Sequence, residues 1–63
     1  MNESIREEVY HMIDWLKMKR ERLDIAILTT PSGPERNWLT DASIHLGAVI
    51  ANLNAAIGHL PNS

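Results

Sequence analysis

Between Leu39 and Leu60 the apolar residues Leu39, Ala42, Leu46, Val49, Leu53, Ala56 and Leu60 are spaced 3, 4, 3, 4, 3, 4. That is an unbroken heptad seam, and a helix carrying it needs another helix to pack against. Ile50 and Ile57 widen the seam to an arc of about 120°. A second set, Ile44, Ala48, Ala51 and Ala55, is spaced 4, 3, 4 and falls on a separate strip. From Asn37 to Ser63 the one formally charged side chain is Asp41. Ordinary surface helices carry Lys and Glu on the outer face. This one offers Ala, Gly, Ser and Asn, over which a second backbone can come close. The helix is therefore expected to be covered on two sides, and a chain of 63 residues has too little left to supply both covers. Self-association, with Ile44, Ala48, Ala51 and Ala55 at the interface, is the expectation.

Size and charge narrow the function classes. A chain this short is one domain at most and buries only about 60% of its unfolded surface, so it is marginal alone. It has no cysteine, hence no disulfide and no thiolate metal site. A net charge of −2 gives no general attraction to DNA, RNA or an anionic membrane. No apolar run approaches the roughly 20 residues of a membrane span, and the acidic start, Met-Asn-Glu-Ser-Ile-Arg-Glu-Glu, lacks the apolar core of a signal peptide. A soluble cytoplasmic protein is the default expectation.

Taken in order, the chain predicts an all-α antiparallel hairpin of two helices, assembling into a homo-oligomeric bundle. Ser4 and Glu7 have capping-box spacing, which satisfies free amides at a helix start. Ile5, Val9, Met12, Leu16, Leu23 and Ile27 then follow helical spacing, with Ile13 at the edge, and no Gly or Pro intervenes before Pro31. Helix 1 is placed at 4–29. Thr30-Pro31-Ser32-Gly33-Pro34 is a breaker cluster and places the loop at 30–33. Ser32 and Glu35 repeat the capping spacing, and Pro34 suits a first turn. Helix 2 is placed at 34–59, with Gly58 and Pro61 as stop signals. A short loop between equal helices makes the hairpin.

Chemistry is concentrated at the front. All six Lys and Arg residues lie at or before Arg36, as do seven of the eight acids. Lys19 falls inside the apolar arc of helix 1, with Trp15 one turn before it and Arg22 about one turn after. Aromatic rings stack on bases, and Lys or Arg pairs with phosphate. Equally, Lys19 can snorkel its head past an apolar stem. Tyr10, on the other side of helix 1, reads as a subunit contact or as a ligand platform. Trp38, near Arg36, either caps the hairpin core or lines a pocket with Arg36. Tyr10, Trp15, Lys19, Arg22 and Arg36 are the candidate ligand-binding residues. None of His11, His45 and His59 is expected to pair with another His or a carboxylate at the i, i+4 spacing, on one face, of a helical metal site, so neither metal nor cofactor is expected. No base is placed beside a nucleophile and there is no Gly-rich phosphate loop, so no catalytic residue is assigned and an enzyme is not expected.

The second helix also resembles a family. Trp38-Leu39, His45-Leu46, Gly47-Ala48, Leu53, Ala56-Ile57 and Pro61 match, without gaps over the 24 residues from Trp38 to Pro61, a pattern in small phage proteins that sponge up immune cyclic nucleotides. These are the anti-CBASS sponge and the related hairpin of an anti-Thoeris sponge. Helix 1 is similar in length and apolar spacing and in having Lys after Met and Ile. Two positions differ: Ala55 stands where the family often has a basic residue, and Asn37, with Arg36 one place earlier, where it often has Arg. The resemblance implies a compact homo-oligomer of hairpins in the cytoplasm of an infected host. Between its protomers a cyclic di- or trinucleotide, or a cyclic ADP-ribose-type ligand, would be bound and sequestered without cleavage. The rival expectation is a small dimeric bundle that docks on another protein or on structured RNA.

Overall fold

The structure is a computed structural model, and it describes residues 4–60. Two α-helices make up the fold: α1, Ile5–Leu28, and α2, Pro34–Ile57, of 24 residues each. They run antiparallel. Arg6 at the start of α1 donates from Nη1 to the carbonyl of Ile57 at 2.8 Å, and Arg20 reaches Ser43 in the first half of α2. The hairpin is long and thin, 48 × 19 × 11 Å with a radius of gyration of 14.9 Å, against about 11 Å for a compact chain of this length.

Local chemistry sets the helix ends. Ser4 accepts the amide of Glu7 at 3.1 Å, so one of the free amides of the first turn is bonded. At the other end of α1, the hydroxyls of Thr29 and Thr30 both donate to the carbonyl of Ala26, at 3.0 and 2.8 Å. The expected Ser32 cap does not form. Gly33 is the N-cap of α2, without a side-chain bond, at φ +153°, a backbone region that essentially only glycine occupies. Pro34 follows at the first helical position. Gly58 ends α2 at φ −63° rather than in the left-handed conformation its stop role suggested, and bonds from Gly58, His59 and Leu60 to carbonyls three residues back tighten the exit. Pro61 lies outside the described residues.

The packing register differs from the expected one. Ile13, Ile50 and Ile57 form the buried cluster, with Val9, Leu16 and Leu53 packed against it. On α1 the inward series is Arg6, Val9, Ile13, Leu16, Arg20, Leu23, Ile27. On α2 it is Arg36, Leu39, Ser43, Leu46, Ile50, Leu53, Ile57, Leu60. Ile13, expected at the edge, is at the centre, whereas Met12 is 51% exposed. Ala42, Val49 and Ala56, expected in the seam, are exposed. The reason is area: α2 carries two overlapping seams that share its leucines, and turning Ile50 and Ile57 inward removes more apolar surface from water than turning Val49 and Ala56 inward. A hydrogen-bonded Ser43, 6% exposed, completes the chosen register.

Candidate functional site

A polar layer crosses the hairpin where the heptad would place a third apolar pair. Ser43 donates to Asp24 Oδ1 at 2.5 Å and accepts from Arg20 Nε at 3.4 Å. Gly47 supplies the room: a Cβ there would lie 2.8 Å from the Arg20 guanidinium carbon. Sequence reasoning placed the seam through Met12 and Leu16 and so singled out Lys19. With Ile13 central, the seam position is Arg20. Ser43 in the seam and the small Gly47 one turn after it on α2 are the signals that could have found this layer.

The five candidate ligand residues are not brought to one place. Trp15 and Lys19 meet: the Lys19 ammonium lies 5.3 Å from the Trp15 ring centroid, within cation–π range. Trp15 is 56% exposed. Arg22 is exposed one turn further on. Tyr10 lies about 140° around α1 from Trp15, beside Arg6, whose guanidinium is 6.0 Å from its ring. Arg36 is half-buried near the loop. Trp38 is 71% exposed, so it does not cap the core. It lines an open hollow of about 410 Å³ with Thr30, Pro31, Ser32, Gly33, Pro34 and Glu35, and Arg36 is not part of that lining.

A second open hollow, about 310 Å³, is lined by His11, Met12, Trp15 and Leu16, next to Lys19. Its lining surface is apolar, and the Lys19 ammonium lies over the Trp15 ring that bounds it. That combination accepts a flat ring with an anionic group beside it. Along the back of α2, Ile44 is 60% exposed, as are Ala48, Ala51 and Ala55. Polar groups near this strip bond to their own helix: Thr40 Oγ1 donates to the Arg36 carbonyl at 2.8 Å, and His45 Nδ1 lies 2.7 Å from the Asp41 carbonyl oxygen. Contrary to the expectation that no histidine has a carboxylate at i, i+4, His11 and His45 each follow an acid by four residues, Glu7 and Asp41; among the described residues no three potential ligands gather into a metal site. Among the same residues, no helix is long and apolar enough to cross a membrane. The chain matches no family model, no curated protein and no solved structure.

Proposed function

We propose that this chain is a homo-oligomeric helical hairpin of the phage immune-evasion type, which binds a cyclic nucleotide messenger and holds it without cleaving it. The ligand class is a cyclic di- or trinucleotide or a cyclic ADP-ribose-type molecule. The observation that carries the reading is the Trp15–Lys19 pair, a ring for stacking and an ammonium for phosphate, 5.3 Å apart on one open strip. Arg22 on the same strip adds a second cation for phosphate, and Tyr10 and Arg36 belong to other edges of the protomer. Both hollows of a single hairpin are open to solvent, and tight ligand sites enclose most of the ligand. The pocket in this reading therefore lies between protomers. The Ile44, Ala48, Ala51 and Ala55 strip and the exposed face around Met12 are the surfaces a second chain would cover.

A ligand panel tests the reading. Cyclic dinucleotides, cyclic trinucleotides and cyclic ADP-ribose isomers should be screened by thermal shift. Saturating ligand at a thousand times its Kd stabilises by about 4 kcal/mol, a shift of many degrees for a domain of this size. No shift with any member of the panel removes the ligand reading. It leaves the docking alternative, for which the exposed Trp38 ring is the natural contact.

A further inference from the structure

The protomer is poorly buried for its mass. It exposes 4958 Å², whereas a compact monomer of 7.1 kDa exposes about 4100 Å². The excess, about 900 Å², is close to the roughly 800 Å² that each partner contributes to a standard interface. Part of it is apolar and lies on one flank of the hairpin. Met12 and Trp15 are 51% and 56% exposed on α1, and Val49 is 44% exposed on α2. By helical register the strip Glu8, Met12, Trp15, Lys19 on α1 and the strip Ala42, Val49, Ala56 on α2 face the same side. The Arg20, Asp24, Ser43 and Gly47 cluster lies toward the other.

Both strips are self-complementary. The α1 strip is spaced 4, 3, 4 and the α2 strip 7, 7. The midpoint of the first falls between Ile13 and Asp14, and the midpoint of the second is Val49. Arg6 bonds to Ile57 and Arg20 to Ser43, so positions 13 and 14 stand opposite 50 and 49, and the two midpoints lie at about the same level of the hairpin.

We infer that a second copy of this chain docks on this flank about a two-fold axis through that level, α1 against α1 and α2 against α2, each antiparallel. The rotation brings Glu8 of each copy to Lys19 of the other, Met12 to Trp15, Ala42 to Ala56, and Val49 to its counterpart. This is the same-patch geometry a two-fold requires. Every neighbouring helix pair in the resulting four-helix bundle is antiparallel. Within the protomer the Lys19 ammonium lies 5.3 Å from the Trp15 ring centroid, and the two-fold would bring a carboxylate to it as well. The small residues Ala42 and Ala56 let the two α2 helices approach closely. The inference rests on the self-association part of the proposed function and uses no ligand.

A charge swap tests it. Glu8 and Lys19 are eleven residues apart on one helix, about 16 Å, too far to touch within a chain, so any coupling between them runs through another copy. Glu8→Lys and Lys19→Glu are each expected to raise the dimer dissociation constant about tenfold, because two attractive pairs become repulsive at once. Sedimentation velocity over a dilution series reads this, with circular dichroism to confirm the helices. The double variant Glu8→Lys/Lys19→Glu is expected to return to within about threefold of the native value, since each pair is restored with its signs exchanged. A double variant no tighter than the weaker single overturns the inference. An assembly that none of the three variants moves also overturns it, while leaving self-association through another face standing. A native chain that stays monomeric at high concentration overturns both. If a reversal unfolds the helix, Glu8→Gln and Lys19→Gln replace it. Each then weakens the dimer, and the double Gln variant is expected to be no weaker than either single; additive losses overturn the pairing. Ligand affinity is not read in this experiment, so failure of the ligand reading leaves its outcome unmoved.

Discussion

Gly47 lies under the guanidinium of Arg20, close enough that a Cβ would stand 2.8 Å from the guanidinium carbon and from Nη1. A glycine in mid-helix costs about 1 kcal/mol relative to alanine, and here the missing side chain is the space in which Arg20 crosses to Ser43. Gly47→Ala is therefore expected to gain helix propensity but to push Arg20 off Ser43, so that little net stability appears. In an Arg20→Ala background the same change should be free to stabilise by about 1 kcal/mol. The difference between the two backgrounds, read by urea denaturation, should be at least about 0.5 kcal/mol. Equal effects would mean that Arg20 does not lie over Gly47 in solution.

Arg6 ties the two ends of the chain. Its Nη1 donates to the carbonyls of Ile57 at 2.8 Å and Leu60 at 3.4 Å. The last turn of α2 has no basic residue of its own, so this arginine is what meets the negative end of that helix. Arg6→Met should cost about 1–2 kcal/mol, the lower part of the range for a charged hydrogen bond because the site is only part-buried. The loss should be concentrated at the end of α2. Hydrogen exchange that quickens at 55–60 and not near Ile13 is the expected pattern; uniform quickening would assign the loss to general destabilisation.

Gly33 holds a conformation rather than a contact. At φ +153° nothing lies within 4 Å of a built Cβ, so a side chain meets a backbone penalty and no clash. Gly33→Ala should cost about 1–3 kcal/mol. A D-alanine at the same position, introduced by chemical synthesis, is expected to restore most of that, because the region suits its handedness. Equal melting of the L- and D-alanine chains would contradict the account of the loop.

The element plan was legible in the sequence because its signals are local. Ser4, the Pro31-Ser32-Gly33-Pro34 breaker and the unbroken apolar periods place two helices within a residue or two of where they lie. The register was not legible, and the physical reason is specific. Leu39, Leu46, Leu53 and Leu60 belong to two seams at once, one with Ala42, Val49 and Ala56, the other with Ser43, Ile50 and Ile57. Periodicity cannot say which seam faces the chain's own α1 and which is left over. The choice is made by the area of Ile50 and Ile57 and by the bond from Ser43 to Asp24, a contact between helices that no spacing announces. The same ambiguity explains the site: a seam through Met12 and Leu16 runs on to Lys19, whereas the seam through Ile13 runs on to Arg20.

Lys19 serves the inferred two-fold contact with Glu8 as well as the ligand, so its binding role is read at concentrations where the assembly is intact. Lys19→Met removes the ammonium over Trp15 while keeping an unbranched stem on the apolar flank. The helices should remain. If Lys19 meets a phosphate, affinity for the messenger should fall by about 1.5–3 kcal/mol, the range for a hydrogen bond to a charged group, measured by calorimetry. Unchanged affinity in the folded variant would take Lys19 out of the site. Ala48→Glu addresses the other face of α2: a buried, unpaired carboxylate is costly, so this variant should reduce the size of the assembly or unfold it. Unaltered assembly would show that the Ile44, Ala48, Ala51 and Ala55 strip stays open to water.

In the proposed function a messenger is held and not destroyed. The direct measurement is to mix the protein with the cyclic nucleotide that stabilises it, remove free ligand, denature the protein by heat and identify what is released. Holding by mass action needs nanomolar affinity, about −12 kcal/mol, and the account predicts intact cyclic nucleotide in near-stoichiometric yield per site. Linear or hydrolysed product accumulating beyond one per site, or no nucleotide carried through the separation, would contradict it.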